Sequence, residues 1–353
     1  MPTVLAGLAR LDPERIRHVA SPLIELGCAL HVLAEPRHHG RTEWADQVKT
    51  AMPAVLRTDL ATWAWTVRAV RARFFATSPA TGLPSFPDEL AVLRSRPPAD
   101  LAAELVRPLR GQPLGSRSTD LVAVRRWALS RGRPVAELVE ALLTSPAEPV
   151  AQFLDFLEAC WRGWFGEIWE SSRDQLAARG RQDRDLAVRG GLSVMLPGLD
   201  GSIEVRDADS IVVQKVQNKR IDLAERSLLL VPSNFIAPHL FLGEVPGEPL
   251  TVIYPVGGRG SAVPTAQVIR HRLEALAVAD RLQVCRAVAS EPRTAGEIAA
   301  LWNLNATQVT RHLRALTRVG LVTAERHGRF VAYRLDEQAV RNLGTDLLDL
   351  VMR

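Results

Sequence analysis

The chain has 353 residues, which is more than one ordinary domain needs and predicts two or three domains. A hydrophobic content of 47% allows packed cores, but no run approaches the roughly 18 apolar residues that span a bilayer. The three cysteines are far apart and odd in number, which argues against a disulfide framework, and the N-terminus lacks the basic segment of a signal peptide. We therefore expect a cytoplasmic protein.

The net charge of +5 is unevenly distributed. From Thr265 to Arg353 there are 13 arginines and no lysine, against 9 aspartates and glutamates. Six of these arginines and a single acid, Glu325, lie between Arg311 and Arg334. Such an excess is typical of a phosphate-binding surface, but basic faces are often only solvated, so the charge is supporting evidence.

The first 200 residues are predicted to be mainly helical. A short extended segment precedes a helix that Asp12-Pro13-Glu14 opens, and a second helix begins at Ser21-Pro22 and runs to about Ala34. Residues 42–77 follow a rough helical spacing. Further helices are predicted at 88–94, 100–110, 119–131, 134–143 and 147–180.

The last of these helices carries a wide aromatic stripe. Its members are Phe153, Phe156, Leu157, Trp161, Trp164, Phe165, Ile168 and Trp169. A pocket lined by Trp and Phe suits a flat or greasy small molecule, whereas an aromatic stripe at helical spacing is more often ordinary core. Core packing is favoured, and a ligand contact stays open.

The composition becomes β-like after Gly190-Gly191. Strands bounded by Pro and Gly are predicted at 203–206, 211–216, 227–231 and 250–254. The polar and aromatic turns at 233–239 and 254–258 are interpreted mainly as structural, and Gly257-Gly-Arg-Gly-Ser261 is predicted to be a linker.

A short helix over residues 305–318, NATQVTRHLRALTR, has the strongest pattern in the chain. Val309, Leu313 and Leu316 form one apolar stripe, at positions i, i+4 and i+7. The opposite face carries a polar set that no carboxylate interrupts: Thr307, Thr310, Arg311, Arg314 and Arg318. Asn305 is placed to cap the first turn, with Gln308 reaching back to complete a capping box. Such a helix fits a DNA major groove.

The surrounding sequence predicts a winged helix-turn-helix. Thr294 and Glu297 form a second capping box at the start of helix 295–302, and Asn303-Leu304 is the turn between the two helices. Gly320 ends the second helix. Residues 321–325 and 330–334 then read as two strands, with a basic tip at 326–329.

Residues 267–350 resemble the winged helix of ArsR/SmtB-type transcriptional regulators. The family pattern T-V-S-x-H-L-x-x-L-x-x-x-G-L-V is present as Gln308-Val-Thr-Arg-His-Leu313, Leu316 and Gly320-Leu-Val322. The segments SPLIELGCALHVLAEPRHHG, DLAERSLLLVPSNFIAPHL and TVIYPVGG resemble actinobacterial regulators of this type that have a long N-terminal domain of unknown function.

The predicted fold class is α+β, mostly α. We expect a helical sensor-like domain over residues 1–200 and a β-rich segment with a linker over 201–262 that completes it. The winged helix-turn-helix domain, for DNA binding and dimerisation, covers 263–353.

Metal binding of the kind known in the family is not expected. The family's E-L-C-V-C-D segment is Glu297-Ile-Ala-Ala-Leu-Trp302 here, which has no soft ligand, and helix 336–350 has no histidine for the family's second site. Cys285 is expected in the core. His31, Glu35, His38, His39 and Glu43 form one local cluster, which we interpret as a solvated helix end because Pro36 breaks the helix. No metal or cofactor is predicted.

The predicted function is a DNA-binding regulator, most simply a repressor, and not an enzyme, because no catalytic motif is recognised. The predicted DNA contacts are Asn305, Thr307, Gln308, Thr310, Arg311, Arg314, Arg326, His327 and Arg329. The resemblance implies a homodimer that contacts through helices 267–277 and 337–350, on double-stranded DNA with half-sites about one helical turn apart. The N-terminal domain would respond to a non-metal small molecule or a partner. Two alternatives remain, a winged helix that binds proteins and an N-terminal enzyme fused to a regulator.

Overall fold

The computed structural model divides the chain into two compact units. The N-terminal unit is Met1–Val213 with Gln217–Ser261, and the C-terminal unit is Gln214–Val216 with Ala262–Arg353. The structure describes residues 2–67, 72–76, 78, 80–110, 121–200, 203–214, 219–245, 247–256, 266–302, 305–327 and 330–352. The predicted turn Asn303-Leu304, the linker at 257–261 and the wing tip at 328–329 lie outside these residues. The predicted class, α+β and mostly α, is confirmed.

The N-terminal unit contains ten described helices: α1 Pro22–Ala34, α2 Thr42–Ala51, α3 Ala54–Trp63, α4 Phe86–Arg94, α5 Pro98–Val106, α6 Leu121–Ser130, α7 Arg133–Thr144, α8 Ala147–Cys160, α9 Gly166–Gly190 and α10 Leu192–Met195. Helix α1 is central, because every residue from Pro22 to Leu33 is buried. Its start follows from the sequence: Pro22 occupies the first turn, and the Ser21 hydroxyl accepts a hydrogen bond from the Ile24 amide at 3.1 Å.

Eight strands, which apart from Gln214 belong to the N-terminal unit, form two mixed sheets: β1 Pro2–Ala6, β2 Ile16–His18, β3 Ile203–Asp207, β4 Ser210–Gln214, β5 Lys219–Asp222, β6 Leu228–Ser233, β7 Phe241–Gly243 and β8 Leu250–Pro255. Their orders are β3-β4-β1-β5 and β2-β6-β8-β7. Strands β1 and β5, β2 and β6, and β6 and β8 pair in parallel. Both sheets therefore join the start of the chain to residues 203–255.

The second sheet separates two hydrophobic cores. Along β6, Leu229 and Val231 face the core that the helices α1–α9 build. Leu228 and Leu230 face the other core, which includes α10 and residues of the first sheet. A strand buried on both faces requires a continuous apolar run, and Leu228–Val231 is one.

Several predicted elements differ from the structure. The helix expected after Asp12 is a single 3-10 turn, Pro13–Arg15, because the next residues pair with Leu228–Leu230 as strand β2. Pro53 divides the expected helix 42–77 into α2 and α3, and short 3-10 turns follow at Ala64–Val67 and Arg73–Phe75.

The long helix predicted over 147–180 is also interrupted. A π-helical turn, Trp161–Phe165, joins α8 to α9, and α9 continues to Gly190. Strands β5 and β7 had no prediction. They are four and three residues long, too short for a clear alternation of apolar residues.

The C-terminal unit contains α11 Ala266–Leu276, α12 Ala279–Ala287, β9 Arg293–Thr294, α13 Ala295–Trp302, α14 Ala306–Arg318, β10 Val322–His327, β11 Phe330–Leu335 and α15 Glu337–Met352. The three strands form one antiparallel sheet in the order β10-β11-β9. This is the predicted order of two short helices, then a hairpin. None of the described helices of either unit combines the length and the apolar composition that crossing a bilayer requires.

Candidate nucleic-acid interface

Helix α14 is anchored by its apolar stripe. Val309, Leu313 and Leu316 are completely buried, as predicted, in a core that α12 and α13 share. His312 is also buried on this side, which the sequence analysis did not anticipate. Burial of one face fixes which side chains the helix presents on the other.

The start of α14 is capped as predicted. The Asn305 side chain accepts a hydrogen bond from the Thr307 amide at 2.8 Å. Among the described hydrogen bonds, none joins Gln308 back to Asn305, so the cap is simple rather than a full box. The box at the start of α13 is complete: Glu297 accepts from the Thr294 amide at 2.7 Å, and Thr294 accepts from the Glu297 amide at 3.3 Å.

The predicted reading face of α14 is accessible. Thr307, Gln308, Arg311 and Arg314 are exposed. Thr310 is half-buried, and its hydroxyl donates to the Ala306 carbonyl at 2.8 Å, so it offers its methyl group and acceptor capacity. Within the described part of the chain, no ion pair involves Arg311 or Arg314.

The wing follows directly. Strands β10 and β11 pair from Val322 opposite Leu335 to His327 opposite Phe330. Arg326 is exposed at the outer end of this hairpin. Arg329 and the side chain of His327, both predicted contacts, lie outside the described residues.

Arg272 connects three helices of the unit, and sequence reasoning missed it. Its Nε donates to the Val319 carbonyl at the end of α14 at 3.1 Å. Its Nη1 forms an ion pair with Asp346 of α15 at 3.4 Å. Because Arg272 belongs to α11, it couples the end of α14 to both outer helices. A charged residue among the polar positions of an amphipathic helix gives no signal of such a role.

The environment of His312 disfavours its protonated form. Burial is the main cause that lowers its pKa, and the positive charges of Arg311 and Arg281 act in the same direction. Asp280, whose Oδ2 lies 3.8 Å from Nε2, acts in the opposite direction. The buried ring is therefore part of the packed support of α14.

Residues 3–260 match a family described as a family of unknown function (DUF5937). The match covers more than half of the chain. The chain belongs to the DUF5937 family. Residues 276–325 of this DUF5937 protein match a helix-turn-helix domain family. The two matches confirm the expected order, a long domain of unknown function followed by an ArsR-type helix-turn-helix. No curated protein matches the chain.

Solved structures similar to the C-terminal part of the DUF5937 protein are regulators by description. One is the homodimeric winged helix-turn-helix DNA-binding domain of a possible ArsR-family transcriptional regulator from Mycobacterium bovis, at 31% identity over 24% of this chain and 79% of that chain, with a TM-score of 0.21. Another is a possible transcriptional regulator for arsenical resistance, at 34% identity over 24% and 85%, with a TM-score of 0.21. An ArsR-like transcriptional regulator from Rhodococcus sp. RHA1 has 20% identity over 24% and 81%, with a TM-score of 0.23.

The aromatic stripe of the DUF5937 domain is mostly core. Phe153, Phe156, Phe165 and Trp169 are buried. Trp161 stacks on Phe86 with ring centroids 4.3 Å apart. The half-buried Trp161 and Trp164 of this stripe line an open cavity of about 680 Å³.

A second cavity of the DUF5937 domain is better enclosed and has charged residues in its lining. It has a volume of about 630 Å³, and Arg17, Phe74, Glu89, Arg96 and Thr251 are among the residues that line it. The buried Glu89 carboxylate accepts hydrogen bonds from the Ser21 hydroxyl at 2.8 Å and the Ser78 hydroxyl at 3.0 Å. Burial raises the pKa of Glu89.

The histidines at the end of α1 were wrongly expected to be solvated. His31 and His39 are 3% and 8% exposed. The cause is the fold: α1 is buried throughout, and the turn after it packs against residues 234–239, which are far away in sequence.

Proposed function

We propose that this protein is a transcriptional regulator whose C-terminal unit binds double-stranded DNA. The observation that carries the proposal is the asymmetry of α14. One face is completely buried, and the other exposes Thr307, Gln308, Arg311 and Arg314 with no described carboxylate partner for either arginine. That arrangement supports insertion into a major groove.

The hydrogen-bonding capacity of each exposed side chain suggests which part of the DNA it contacts. Arg311 and Arg314 donate to guanine or to phosphate, and Thr307, Gln308 and Thr310 complete the reading face. The amides of the first turn after Asn305 favour a phosphate. Wing residues Arg326, His327 and Arg329 are proposed to hold the DNA backbone.

We infer a homodimer that contacts through α11 and α15. Both helices expose apolar side chains in the single chain: Val268 and Leu273 on α11, and Val340, Leu348 and Val351 on α15. Packing of these residues against a second copy of the chain would remove apolar surface from water and stabilise the dimer. Two copies would then read half-sites about one helical turn apart.

The N-terminal unit is proposed to bind a non-metal small molecule that changes DNA affinity, in the simplest case as the effector of a repressor. The cavity of about 630 Å³ has the size of a small-molecule site. Its mixture of arginines, carboxylates and Phe74 favours a ligand with both polar and apolar parts. Regulation requires that the ligand prefer one of two states of the protein.

The test is selection of genomic fragments by the purified full-length protein, followed by affinity measurements at several salt concentrations. We expect wild type to enrich an inverted repeat. Arg311→Ala with Arg314→Ala should abolish the enrichment and flatten the dependence of log K on log salt, which changes by about 0.9 for each phosphate neutralised. Arg181→Ala with Arg189→Ala removes the same charge from exposed positions of α9 and is the matched control.

Two results would contradict the proposal. Equal loss of DNA enrichment in both double variants would mean that only the net charge of the protein matters. No DNA enrichment by wild type, together with stable capture of a partner protein through α14, would favour the interaction module.

The enzyme alternative has its own requirement. An N-terminal enzyme would need a catalytic group in the 630 Å³ cavity, where the buried Glu89 with its raised pKa is the residue to examine.

A further inference from the structure

The N-terminal unit gathers four imidazole rings, His31, His38, His39 and His239, which we call the histidine cluster. They are half of the eight histidines in the chain. The centroids of the His31 and His39 rings are 4.7 Å apart, and those of His38 and His39 are 5.2 Å apart. His239 stacks on His38 at 4.4 Å and meets His39 edge-on at 5.2 Å.

Three members of the histidine cluster converge through their ring nitrogens. One nitrogen of each of His31, His38 and His39 lies within 4.8 Å of the other two. A metal with Zn–N bonds of about 2.0–2.1 Å in tetrahedral geometry needs these nitrogens about 3.4 Å apart. His38 is half-buried in the turn after α1, so of the three side chains it has the most room to adjust toward an ion.

One hydrogen bond sets the tautomer of His39. Its Nδ1 lies 2.6 Å from the Ala237 carbonyl oxygen. Because a carbonyl can only accept, Nδ1 carries a hydrogen, and in the neutral ring Nε2 is the nitrogen with the lone pair. A ring that donates through one nitrogen to a carbonyl and offers the other nitrogen is the usual arrangement of a metal-binding histidine.

The surroundings hold this geometry in place. The Asn234 amide donates to Glu25 Oε1 of α1 at 2.8 Å, and Arg41 donates to the Asn234 carbonyl at 2.7 Å. The Ser233 hydroxyl accepts from the Phe235 and Ile236 amides, each at 3.1 Å. The turn after β6, which carries Ala237 and His239, is therefore fixed to the helix that carries His31.

We propose that the histidine cluster binds a divalent transition-metal ion, with His31, His38 and His39 as ligands. Imidazole nitrogen suits Zn²⁺, Co²⁺, Ni²⁺ and Cu²⁺, whereas Mg²⁺ and Ca²⁺ require oxygen ligands. His239 closes a further side and is the candidate fourth ligand. The site uses no predicted DNA contact and none of the residues that line the 630 Å³ cavity, so it stands apart from the proposed function.

The test uses untagged full-length protein, because a polyhistidine tag would itself bind metal. After treatment with a chelator, the protein is titrated with Co²⁺, whose visible absorption reports its ligands, and with Zn²⁺ against a chromophoric competitor. We expect one Co²⁺ per chain and a rise in unfolding temperature with Zn²⁺. His38→Asn should lower the association constant for Zn²⁺ at least about tenfold.

The controls separate a lost ligand from a lost fold. His38 lies in a half-buried turn, so circular dichroism of His38→Asn should match wild type, whereas variants at the buried His31 test folding as well. His271→Asn, in the C-terminal unit, should bind metal like wild type. Absence of saturable binding by wild type, or equal binding by His38→Asn, would overturn the proposal and leave the histidine cluster as packed aromatic rings.

Discussion

His312 links the stability of helix α14 to pH through a single buried side chain. Its lowered pKa means that the unfolded chain binds a proton more readily than the folded chain. The folded state is therefore favoured above the ordinary histidine pKa near 6.5, and this contribution is lost as the pH falls through the lowered pKa.

The predicted effect of lower pH is a loss of stability in helix α14. Between pH 7.5 and 5.5, amide hydrogen exchange in α14, corrected for intrinsic rates, should show decreasing protection in wild type. His312→Gln, which cannot titrate, should show a smaller change over the same range, although its protection at pH 7.5 is lower. An identical pH response in both proteins would assign the acid sensitivity to another group.

Individual residues also show where sequence reasoning stops. Val309, Leu313 and Asn305 were predicted correctly, because spacing and capping are local properties. The sequence grouped His31, His38 and His39 but did not predict their packing, because His239 and the Ala237 carbonyl approach His39 across about 200 residues of sequence. Arg272 was missed for the same reason: its partners, Val319 and Asp346, belong to other helices.

At the scale of elements, α14 has defined signals at both ends. Asn305 caps the start, and Gly320 ends the helix in a left-handed conformation with φ of 70°. The Leu321 amide then donates to the Leu316 carbonyl at 3.1 Å, and the Gly320 amide donates to the Thr317 carbonyl at the same distance. These caps were readable from sequence, whereas strand β2 was not, since its partner β6 lies far along the chain.

Removal of either end signal should destabilise the C-terminal unit. Asn305→Ala removes the acceptor of the Thr307 amide and should cost about 1 kcal/mol. Gly320→Ala forces a side chain into the left-handed region and should cost about 1 kcal/mol as well. Urea denaturation of the full-length variants measures both. Ala306→Ser, one exposed position after the cap, is the control and should change stability by less than about 0.5 kcal/mol.

At the scale of the whole molecule, oligomerisation would determine whether DNA is read at one half-site or two. The exposed apolar residues of α11 and α15 form the surface that we propose is buried in the dimer. A dimer places two copies of α14 on one duplex, so contacts that are weak singly act together.

Leu273→Glu with Leu348→Glu should therefore convert a dimer into a monomer in sedimentation experiments. Affinity for an inverted repeat should fall at least about tenfold, since two half-sites are no longer bound together. Leu129→Glu, at an exposed leucine of α6 in the N-terminal unit, is the control. A wild-type monomer would contradict the proposed dimer, and a double variant that still dimerises would place the contact elsewhere.

The parallel pairing of β2 with β6 has a consequence for biosynthesis. Residues Ile16–His18 leave the ribosome more than 200 residues before Leu228–Leu230, the strand with which they pair. Throughout that interval the apolar helix α1 and both N-terminal strands lack the sheets that complete their cores. The N-terminal unit therefore closes late, and until then apolar surface that the finished fold buries stays open to aggregation.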